Sequence, residues 1–398
     1  MYRDDFDILK NNNLIYLDSS ATTLKPNSVI NSITTYLDSY TANLHRGDYD
    51  NSLIVDDKVE ETRNLVKNFI GGSTNKSIIF TNGATDSLNF IAFSFFKNIL
   101  KKDDEIVLTY LEHASNILPW LILQEEIGFK IKFIELDEDY KVSIDKLKEC
   151  INSNTKLVSL AHVTNTMGDE RDLFAIGNYL DKLNIYFVVD AAQSISHFKI
   201  DVEKSKIDFL AFSSHKMFGS TGTGVLYVKE KHLDYLKPFR YGGGQTLDFD
   251  MNEIIYKDYP YKFEAGTLDI SGIISLGEAV KYINSKGINN LHNYIKELSK
   301  YLFDSLKDIP GIKIYNKYNE SGILIFNIDN YFPQDVSVYL NKHKICIRTG
   351  DNCVKMLDKV IGTRKVCRVS LSIYNTKEDI DKLREALLNK EDILKEII

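Results

Sequence analysis

The sequence predicts an α/β protein: a large domain built on a mainly parallel seven-stranded sheet, followed by a smaller α+β domain at the C-terminal end. One observation behind this prediction is that short apolar runs alternate with segments of helical spacing through the first two-thirds of the 398 residues. Such alternation favours a parallel sheet with helices on both faces. The predicted strands are SIIFT (77–81), EIVLTY (105–110), KIKFIEL (130–136), KLVSLAHV (156–163), IYFVVD (185–190), IDFLAFSS (207–214) and TGVLYV (223–228).

A second observation is a change of pattern near residue 270, where long helical spans begin to flank short strands. The segments with apolar residues at helical spacing are 55–70, 86–100, 173–183, 273–308 and 377–398. The short strands predicted beyond residue 270 are 312–316, 322–328, 344–348 and 366–372. This change predicts a large domain over 26–270 and a smaller domain over 271–398.

Composition and terminal sequence exclude several classes of function. The formal net charge is −7, and no run of Lys and Arg alternates with aromatic residues, so nucleic-acid binding is not predicted. The N-terminal segment MYRDDFDILKNNN lacks the basic start and apolar core of a secretory signal. No stretch approaches the roughly 20 apolar residues that a membrane helix needs. A cytoplasmic protein with no membrane partner is therefore expected.

The cysteines divide into two kinds by their surroundings. No CxxC pair occurs, so neither a zinc site nor any other metal site is predicted. Cys150, Cys346 and Cys367 lie in helical or strand-like segments and are predicted to be small buried apolar residues. Cys353 lies instead in the polar loop RTGDNC (348–353) after a strand, where a reactant can reach its thiol.

Ligands of parallel sheets bind beyond the carboxyl ends of the strands, so the residues after each predicted strand are candidates for a site. After SIIFT, the segment NGATD (82–86) opens an apolar helix. Its backbone N–H groups and the Thr85 hydroxyl suit an anion such as phosphate, but Thr85 or Asp86 equally suits a helix N-cap. His113 follows EIVLTY, where it either lies on an aromatic ring and moves protons or has a structural role.

Two further strand ends carry a stronger signal. Asp190 closes an apolar run, and a carboxylate in such a place needs a cationic partner such as a protonated pyridine nitrogen. The run 207–212 leads directly into SSHK (213–216), and a lysine in a crowded, partly apolar pocket loses its proton and forms Schiff bases. Together they predict a pyridoxal 5′-phosphate (PLP) site with Lys216 as the Schiff-base lysine; the alternative is a surface lysine in a loop.

A set of motifs carries a family resemblance over almost the whole chain. These are YLDSSATT (16–23), HRGDYD (45–50), LEHASNILPW (111–120), AHVTNTMG (161–168), VDAAQS (189–194), FSSHKMFG (212–219), FEAGTLD (263–269), IRTGDNC (347–353) and CRVSLSIYNT (367–376). The chain resembles fold-type I PLP-dependent transferases of the class V aminotransferase group, and within them the SUF-type (group II) cysteine desulfurases, which are similar to selenocysteine lyases. The resemblance implies a homodimer and an N-terminal arm, residues 1–25, that packs with the small domain.

The resemblance also implies a role for each candidate residue. The implied cofactor-binding residues are Lys216 (covalently), Asp190 (pyridinium nitrogen), Gln193 (phenolic oxygen), Asn165 and, at the phosphate, Thr85, Ser213, His215 and the partner subunit's Thr267. The implied substrate-binding residues are Arg368, which can bind a carboxylate bidentately, Asn165 and Arg348. The implied catalytic residues are Lys216, Cys353 as nucleophile, and His113 stacked over the ring.

The implied reaction converts L-cysteine to L-alanine and leaves a persulfide on Cys353, from which an acceptor protein of the sulfur-mobilisation system takes the sulfur for iron–sulfur cluster assembly or other transfer. The alternatives are a selenocysteine lyase or another class V reaction (β-elimination or transamination), which needs no thiol, and a non-catalytic PLP-binding partner of a sulfur-transfer complex. The chain departs from the family where Asp351-Asn352 precede the cysteine in place of the usual histidine.

Overall fold

The computed structural model describes residues 2–44 and 47–397, so His45 and Arg46 of the HRGDYD motif lie outside the described residues. The strands are β1 (Ile15–Tyr16), β2 (Ile78–Thr81), β3 (Glu105–Leu108), β4 (Lys130–Phe133), β5 (Thr155–Ala161), β6 (Tyr186–Asp190), β7 (Phe209–Ser213), β8 (Gly224–Val228), β9 (Thr246–Phe249), β10 (Ile254–Tyr256), β11 (Ile312–Ile314), β12 (Ile323–Ile328), β13 (Ile345–Cys346), β14 (Arg348–Gly350) and β15 (Val366–Ser370). The α-helices are α1 (Asp7–Asn12), α2 (Asn27–Ser39), α3 (Asp50–Phe69), α4 (Ala84–Ser94), α5 (Leu118–Ile127), α6 (Ile144–Cys150), α7 (Leu173–Lys182), α8 (Ile270–Lys286), α9 (Ile288–Leu306), α10 (Pro333–Lys342), α11 (Asp358–Ile361), α12 (Lys377–Leu388) and α13 (Ile393–Ile397).

The described residues form a seven-stranded sheet in the order β2-β8-β7-β6-β5-β3-β4. Strand β8 runs antiparallel to both of its neighbours, and the pairs from β7 to β4 are parallel. Alternate residues of one strand enter different cores: Phe187 and Val189 of β6 join one, whereas Val188 joins the other. Burial on both faces is the reason that these strands read as continuous apolar runs in the sequence.

Several predicted elements differ from the structure in their extent, and the predicted helical span 377–398, for example, is divided into α12 and α13. The helical span 273–308 is two helices, α8 and α9, because Gly287 adopts a φ of +81° between them, a conformation that glycine tolerates without steric cost. The predicted helix 86–100 ends at Ser94 and continues as a 3-10 turn, and the predicted strand 130–136 ends at Phe133. Apolar spacing carries on through these boundaries, so periodicity alone did not reveal them.

The C-terminal part forms a second, antiparallel sheet in the order β11-β12-β15-β14. Its apolar face packs with α9 and α12 in a core of its own. Helix α8 packs instead against α2 and α3. These helices and the seven-stranded sheet together are called the large unit. The division of the chain at residue 271 stays a prediction, and by packing α8 lies with the large unit.

The N-terminal residues are joined to both units. Strand β1 pairs in parallel with β13, and the Arg3 guanidinium forms a 2.7 Å ion pair with Asp379 on α12. The Phe6 ring packs edge-on against Tyr374. The segment that follows β1 then crosses to the turn after β7. No helix among residues 2–44 and 47–397 has the length and apolar character to cross a bilayer.

Candidate active site

A cavity of about 230 Å³ lies where the carboxyl ends of the large sheet face strands β14 and β15. It is lined by Ser20, Ala21, Ala84, Thr85, His113, Ser115, Ala161, Val163, Asn165, Asp190, Ala192, Gln193, Ser213, His215, Lys216, Arg348, Asn352, Cys353 and Arg368. Every site residue predicted from the sequence lies in this lining except Thr267. Residues more than 280 positions apart in the chain therefore meet at one concave site, as the rule for parallel sheets requires.

Lys216 ends a 3-10 turn, Ser214–Lys216, that follows β7 directly. The turn is fixed from the N-terminal segment, because the His215 carbonyl accepts hydrogen bonds from the Thr23 N–H (3.0 Å) and from the Lys25 ammonium (3.2 Å). Burial lowers the pKa of Lys216 to about 8, although the nearby negative charge of Asp190 acts to raise this pKa. An amine with this pKa is partly neutral at physiological pH, which is the form that attacks a carbonyl group.

Asp190 is the last residue of β6 and is buried at the inner end of the cavity. Its Oδ1 accepts the Ala192 N–H at 2.9 Å, and burial raises the pKa of this carboxyl group to about 6. No side chain among the described residues forms an ion pair with it at hydrogen-bond distance. The neighbouring Gln193 donates its amide to the Ser20 carbonyl at 2.9 Å. The Asp190 carboxylate is thus available to a cationic N–H group in the cavity.

His113 lies on the turn after β3. Its Nδ1 lies 3.0 Å from the Ser115 hydroxyl and accepts the Ser115 N–H at 3.1 Å. Burial lowers the pKa of His113 to about 4, and the nearby positive charges of Lys216 and Arg368 act in the same direction. The imidazole is therefore neutral at physiological pH and able to accept a proton.

The end of the cavity beside α4 has the character of an anion site. Thr85 is not the helix N-cap, because Gly83 occupies that position and the Ser213 hydroxyl accepts the Ala84 N–H at 2.8 Å. The Thr85 hydroxyl lies 2.7 Å from that of Ser115 and faces the cavity. Hydroxyl groups at the N-terminus of an 11-residue helix suit a phosphate.

The opposite end of the cavity carries two arginines from the small sheet. Arg348 on β14 pairs in register with Arg368 on β15, so both side chains leave the same face. Arg368 is buried and donates to Asp18 (2.9 Å) and to the Asn165 carbonyl (3.0 Å). Within the described part of the chain, the buried Nε of Arg368 and Oδ1 of Asn165 have no partner. An unpartnered buried guanidinium N–H beside a cavity suits a carboxylate ligand.

Cys353 lies half-buried on the loop after β14, and its thiol is free. The Cys353 carbonyl accepts the Ala114 N–H at 2.9 Å, which joins this loop to the turn that carries His113. The Asn165 amide donates to the Asn352 carbonyl at 2.7 Å. Among the other cysteines, Cys367 is buried as predicted, whereas Cys150 and Cys346 are partly exposed.

A buried ionic network beneath the cavity was not predicted from the sequence. The Arg171 guanidinium pairs with Glu112, and both side chains are shielded from solvent. Arg171 also donates to the Ala161 carbonyl at 2.9 Å, while Glu112 accepts the Ala161 N–H at 2.7 Å. The network thereby fixes the His113 turn against the end of β5. The motif LEHASN contains Glu112, but no spacing in the sequence relates it to Arg171.

Thr267 is exposed and lies outside the cavity that holds the other predicted residues. The segment leading to it is firmly attached, because Glu264 pairs with the buried Arg63 at 2.8 Å and accepts the Phe80 N–H at 2.8 Å. Thr267 consequently projects from an anchored base toward solvent in the single chain.

Comparison with known proteins assigns the family. The model of the family described as Aminotransferase class-V matches residues 15–383. The chain belongs to this family. A probable cysteine desulfurase of Ureaplasma parvum serovar 3 is 40% identical over 97% of this chain and 96% of its own length. A probable cysteine desulfurase of Halalkalibacterium halodurans is 37% identical over 94% of this chain and 92% of its own length.

A solved structure extends the comparison from sequence to fold. The apo structure of a cysteine desulfurase from Thermococcus onnurineus NA1 superposes with a TM-score of 0.93 at 34% identity, covering 97% of this class V chain and 96% of the other. The predicted fold class and the resemblance to cysteine desulfurases are confirmed by these matches. The narrower assignment to the SUF type stays a prediction.

Proposed function

We propose that this protein is a PLP-dependent cysteine desulfurase, which converts L-cysteine to L-alanine and retains the sulfur as a persulfide on Cys353. The observation that carries the proposal is that Lys216, Cys353 and Arg368 line one cavity. A class V enzyme that only transfers an amino group or eliminates a β-substituent needs no thiol facing its lysine. The relatives named probable cysteine desulfurase support the same activity.

The cavity fits PLP by its own chemistry. Asp190 is a buried carboxylate without an ion-pair partner there, which suits a protonated ring nitrogen. Lys216 has the lowered pKa that covalent attachment of an aldehyde needs. Thr85, Ser213 and His215 line the cavity beside α4, where a phosphate fits. Bound PLP supplies a conjugated ring that accepts the electrons released at the α-carbon of an amino acid.

The protein's own side chains divide the remaining work. Arg368, with the Asn165 amide, binds and orients the carboxylate of cysteine. The Lys216 amine and the neutral His113 imidazole accept and return protons near the reacting carbon. The Cys353 thiolate attacks the sulfur of the substrate: the S–S bond forms as the Cβ–S bond breaks, and proton uptake at Cβ leaves alanine. Arg348 adds positive potential at the mouth of the cavity.

The variant Cys353→Ser tests this assignment. Cysteine should still change the visible spectrum of the PLP-loaded variant, because binding does not need the thiol, but alanine formation should fall to background and no persulfide should appear on the protein. Cys150→Ser is the matched control, since Cys150 is a partly exposed thiol outside the cavity. Alanine release by Cys353→Ser at the wild-type rate would instead assign a selenocysteine lyase, whereas formation of sulfide, pyruvate and ammonia in place of alanine would assign a β-eliminating enzyme.

We further propose that the active unit is a homodimer in which each subunit lends Thr267 to the phosphate of the other. The exposed position of Thr267 outside its own cavity supports this, as does the anchored Arg63–Glu264 pair behind it. The β9–β10 hairpin adds an exposed apolar surface that a second subunit can cover: Leu247, Phe249 and Met251 are 72%, 70% and 98% exposed.

Two measurements test the shared site: the rate of PLP release and the association state of the protein. Thr267→Ala should release PLP faster than the wild type, by roughly three- to tenfold for one lost phosphate hydrogen bond, and Thr363→Ala should not. A wild-type protein that sediments as a monomer while retaining full activity would contradict the proposal. An acceptor protein that takes the persulfide from Cys353 belongs to the same proposal, while the cytoplasmic location stays a prediction.

A further inference from the structure

The loop that carries Cys353 has an unusual backbone. Asn352 and Cys353 have φ angles of +52° and +62°, and they are the only two consecutive residues other than glycine with positive φ among the residues that the structure describes. Side chains with a Cβ rarely adopt this left-handed conformation, because the Cβ crowds the following carbonyl. Surrounding contacts must therefore hold both residues in place.

One of these contacts comes from within the loop. The Asp351 Oδ1 accepts the backbone N–H of Cys353 at 2.9 Å, and the Asp351 carbonyl accepts the Val354 N–H at 2.9 Å. The other carboxylate oxygen pairs with the ammonium of Lys355. This ammonium holds the pKa of Asp351 below its usual range, so the acceptor stays ionised. Asp351 thus connects two backbone N–H groups and one side chain around the cysteine.

The Asn352 side-chain amide donates to the Gly350 carbonyl at 3.2 Å within the loop, and the contacts from the large unit act on backbone carbonyl groups. Asn165 donates to the Asn352 carbonyl, and the Ala114 N–H donates to that of Cys353. Within the described residues, Asp351 is the acceptor for the Cys353 N–H. Loss of the Asp351 carboxylate would leave that N–H unpaired and free one side of a backbone turn that is intrinsically unfavourable.

We propose that Asp351 is a positioning residue for Cys353, whose Oδ1 holds the left-handed turn that presents the thiol to the cavity. The inference rests on the proposed role of Cys353 in accepting sulfur. The carboxylate also places a negative charge beside the cysteine, which is a separate effect of the same side chain. Two substitutions separate the charge effect from the hydrogen-bond effect. Asp351→Asn and Asp351→Ala both remove the charge, so a charge effect would be the same in both variants. Only asparagine keeps an oxygen at the acceptor position, so loss of the hydrogen bond affects only the alanine variant.

The first measurement is steady-state turnover of cysteine by the PLP-loaded full-length protein. Asp351→Ala should lower kcat by about tenfold with KM changed by less than about twofold, while Asp351→Asn stays within about threefold of the wild type. Lys355→Met, which keeps the acceptor oxygen, should resemble Asp351→Asn. The matched control is Asp358→Asn, since Asp358 pairs with Arg364 on the same segment and does not contact Cys353. Equal kcat values for Asp351→Ala and Asp351→Asn would overturn the proposal.

The second measurement does not depend on turnover. Alkylation of the substrate-free protein with iodoacetamide, followed by peptide mass spectrometry, reports Cys353 directly, and Cys150 and Cys346 serve as internal references. Cys353 should react about threefold or more faster in Asp351→Ala than in Asp351→Asn, because only the alanine variant releases the turn and opens the thiol to solvent. Equal alkylation rates of Cys353 in the two variants would contradict the positioning role of Asp351, whether or not the wild type forms alanine from cysteine. If only the proposed desulfurase function were wrong, the difference in alkylation rate between the two variants would remain.

Discussion

The turn that carries Lys216 belongs to the large sheet, whereas the loop that carries Cys353 leaves strand β14 of the small sheet. Buried strands on both sides and several donors to the His215 carbonyl hold the lysine turn. The cysteine loop depends on a few hydrogen bonds around two left-handed residues. Both groups face one cavity. The lysine proposed to bind the cofactor is thus built into the core, whereas the cysteine proposed to accept sulfur lies on the less supported side.

Removal of the Lys216 side chain from the lysine turn should cause the largest of the predicted effects, a loss of cofactor attachment and of turnover. Lys216→Ala is expected to eliminate covalent attachment of PLP and to reduce turnover below detection, because no other described lysine lines the cavity. Borohydride reduction followed by mass spectrometry should find the pyridoxyl group on Lys216 in the wild type. Lys204→Ala, on an exposed side chain paired with Asp201, is the control and should behave as the wild type. Labelling of a different lysine in the wild type would refute the assignment.

Breaking the support beneath the cavity should have the next largest effect, on stability. Arg171→Met leaves the Glu112 carboxylate buried without its cation, which is expected to lower the free energy of unfolding by about 3–5 kcal/mol. Arg364→Met removes an exposed guanidinium paired with Asp358 and should cost less than about 1 kcal/mol. Urea denaturation of the cofactor-free protein measures both. Similar losses for the two variants would mean that the network does not support the site.

The smallest expected effect concerns pH. With a Lys216 pKa of about 8, the neutral fraction of the amine rises about tenfold between pH 7 and 9 and then levels. The rate of PLP attachment to the cofactor-free protein should rise with this fraction, and the reaction of PLP with a simple primary amine, measured in parallel, serves as the reference for an ordinary pKa. A lysine with the ordinary pKa would rise about a hundredfold over the same interval. Stopped-flow absorbance separates the two curves.

Much of the large unit could be predicted because its physical signals are local. Strands buried on both faces appear as unbroken apolar runs. The candidate functional residues at their carboxyl ends, such as Asp190 and Lys216, lie at or just after these runs in the sequence. The boundary between α8 and α9 was missed because a single glycine interrupts a periodicity that otherwise continues. Local pattern therefore predicted which elements form, but not where each one ends.

The support of the site was much harder to predict, since it consists of side chains that meet only after folding. Arg171 and Glu112 belong to different connections of the sheet, and Asp18 reaches Arg368 from the opposite end of the chain. Asp351 was visible in the sequence as a departure from the family loop. Its hydrogen bond to Cys353, however, depends on a backbone conformation that cannot be predicted from the residue types.

The pairing of β1 with β13 also affects how the protein is made. Ile15 is synthesised 330 residues before its partner Ile345 (345 − 15). Large-unit strands can pair during translation, but the arm must wait in the nascent chain for the C-terminal sheet. Because contacts of such high sequence separation form slowly, the segment that fixes the lysine turn is secured only near the end of folding. A ribosome-bound chain can therefore contain the complete large sheet and still lack a finished site.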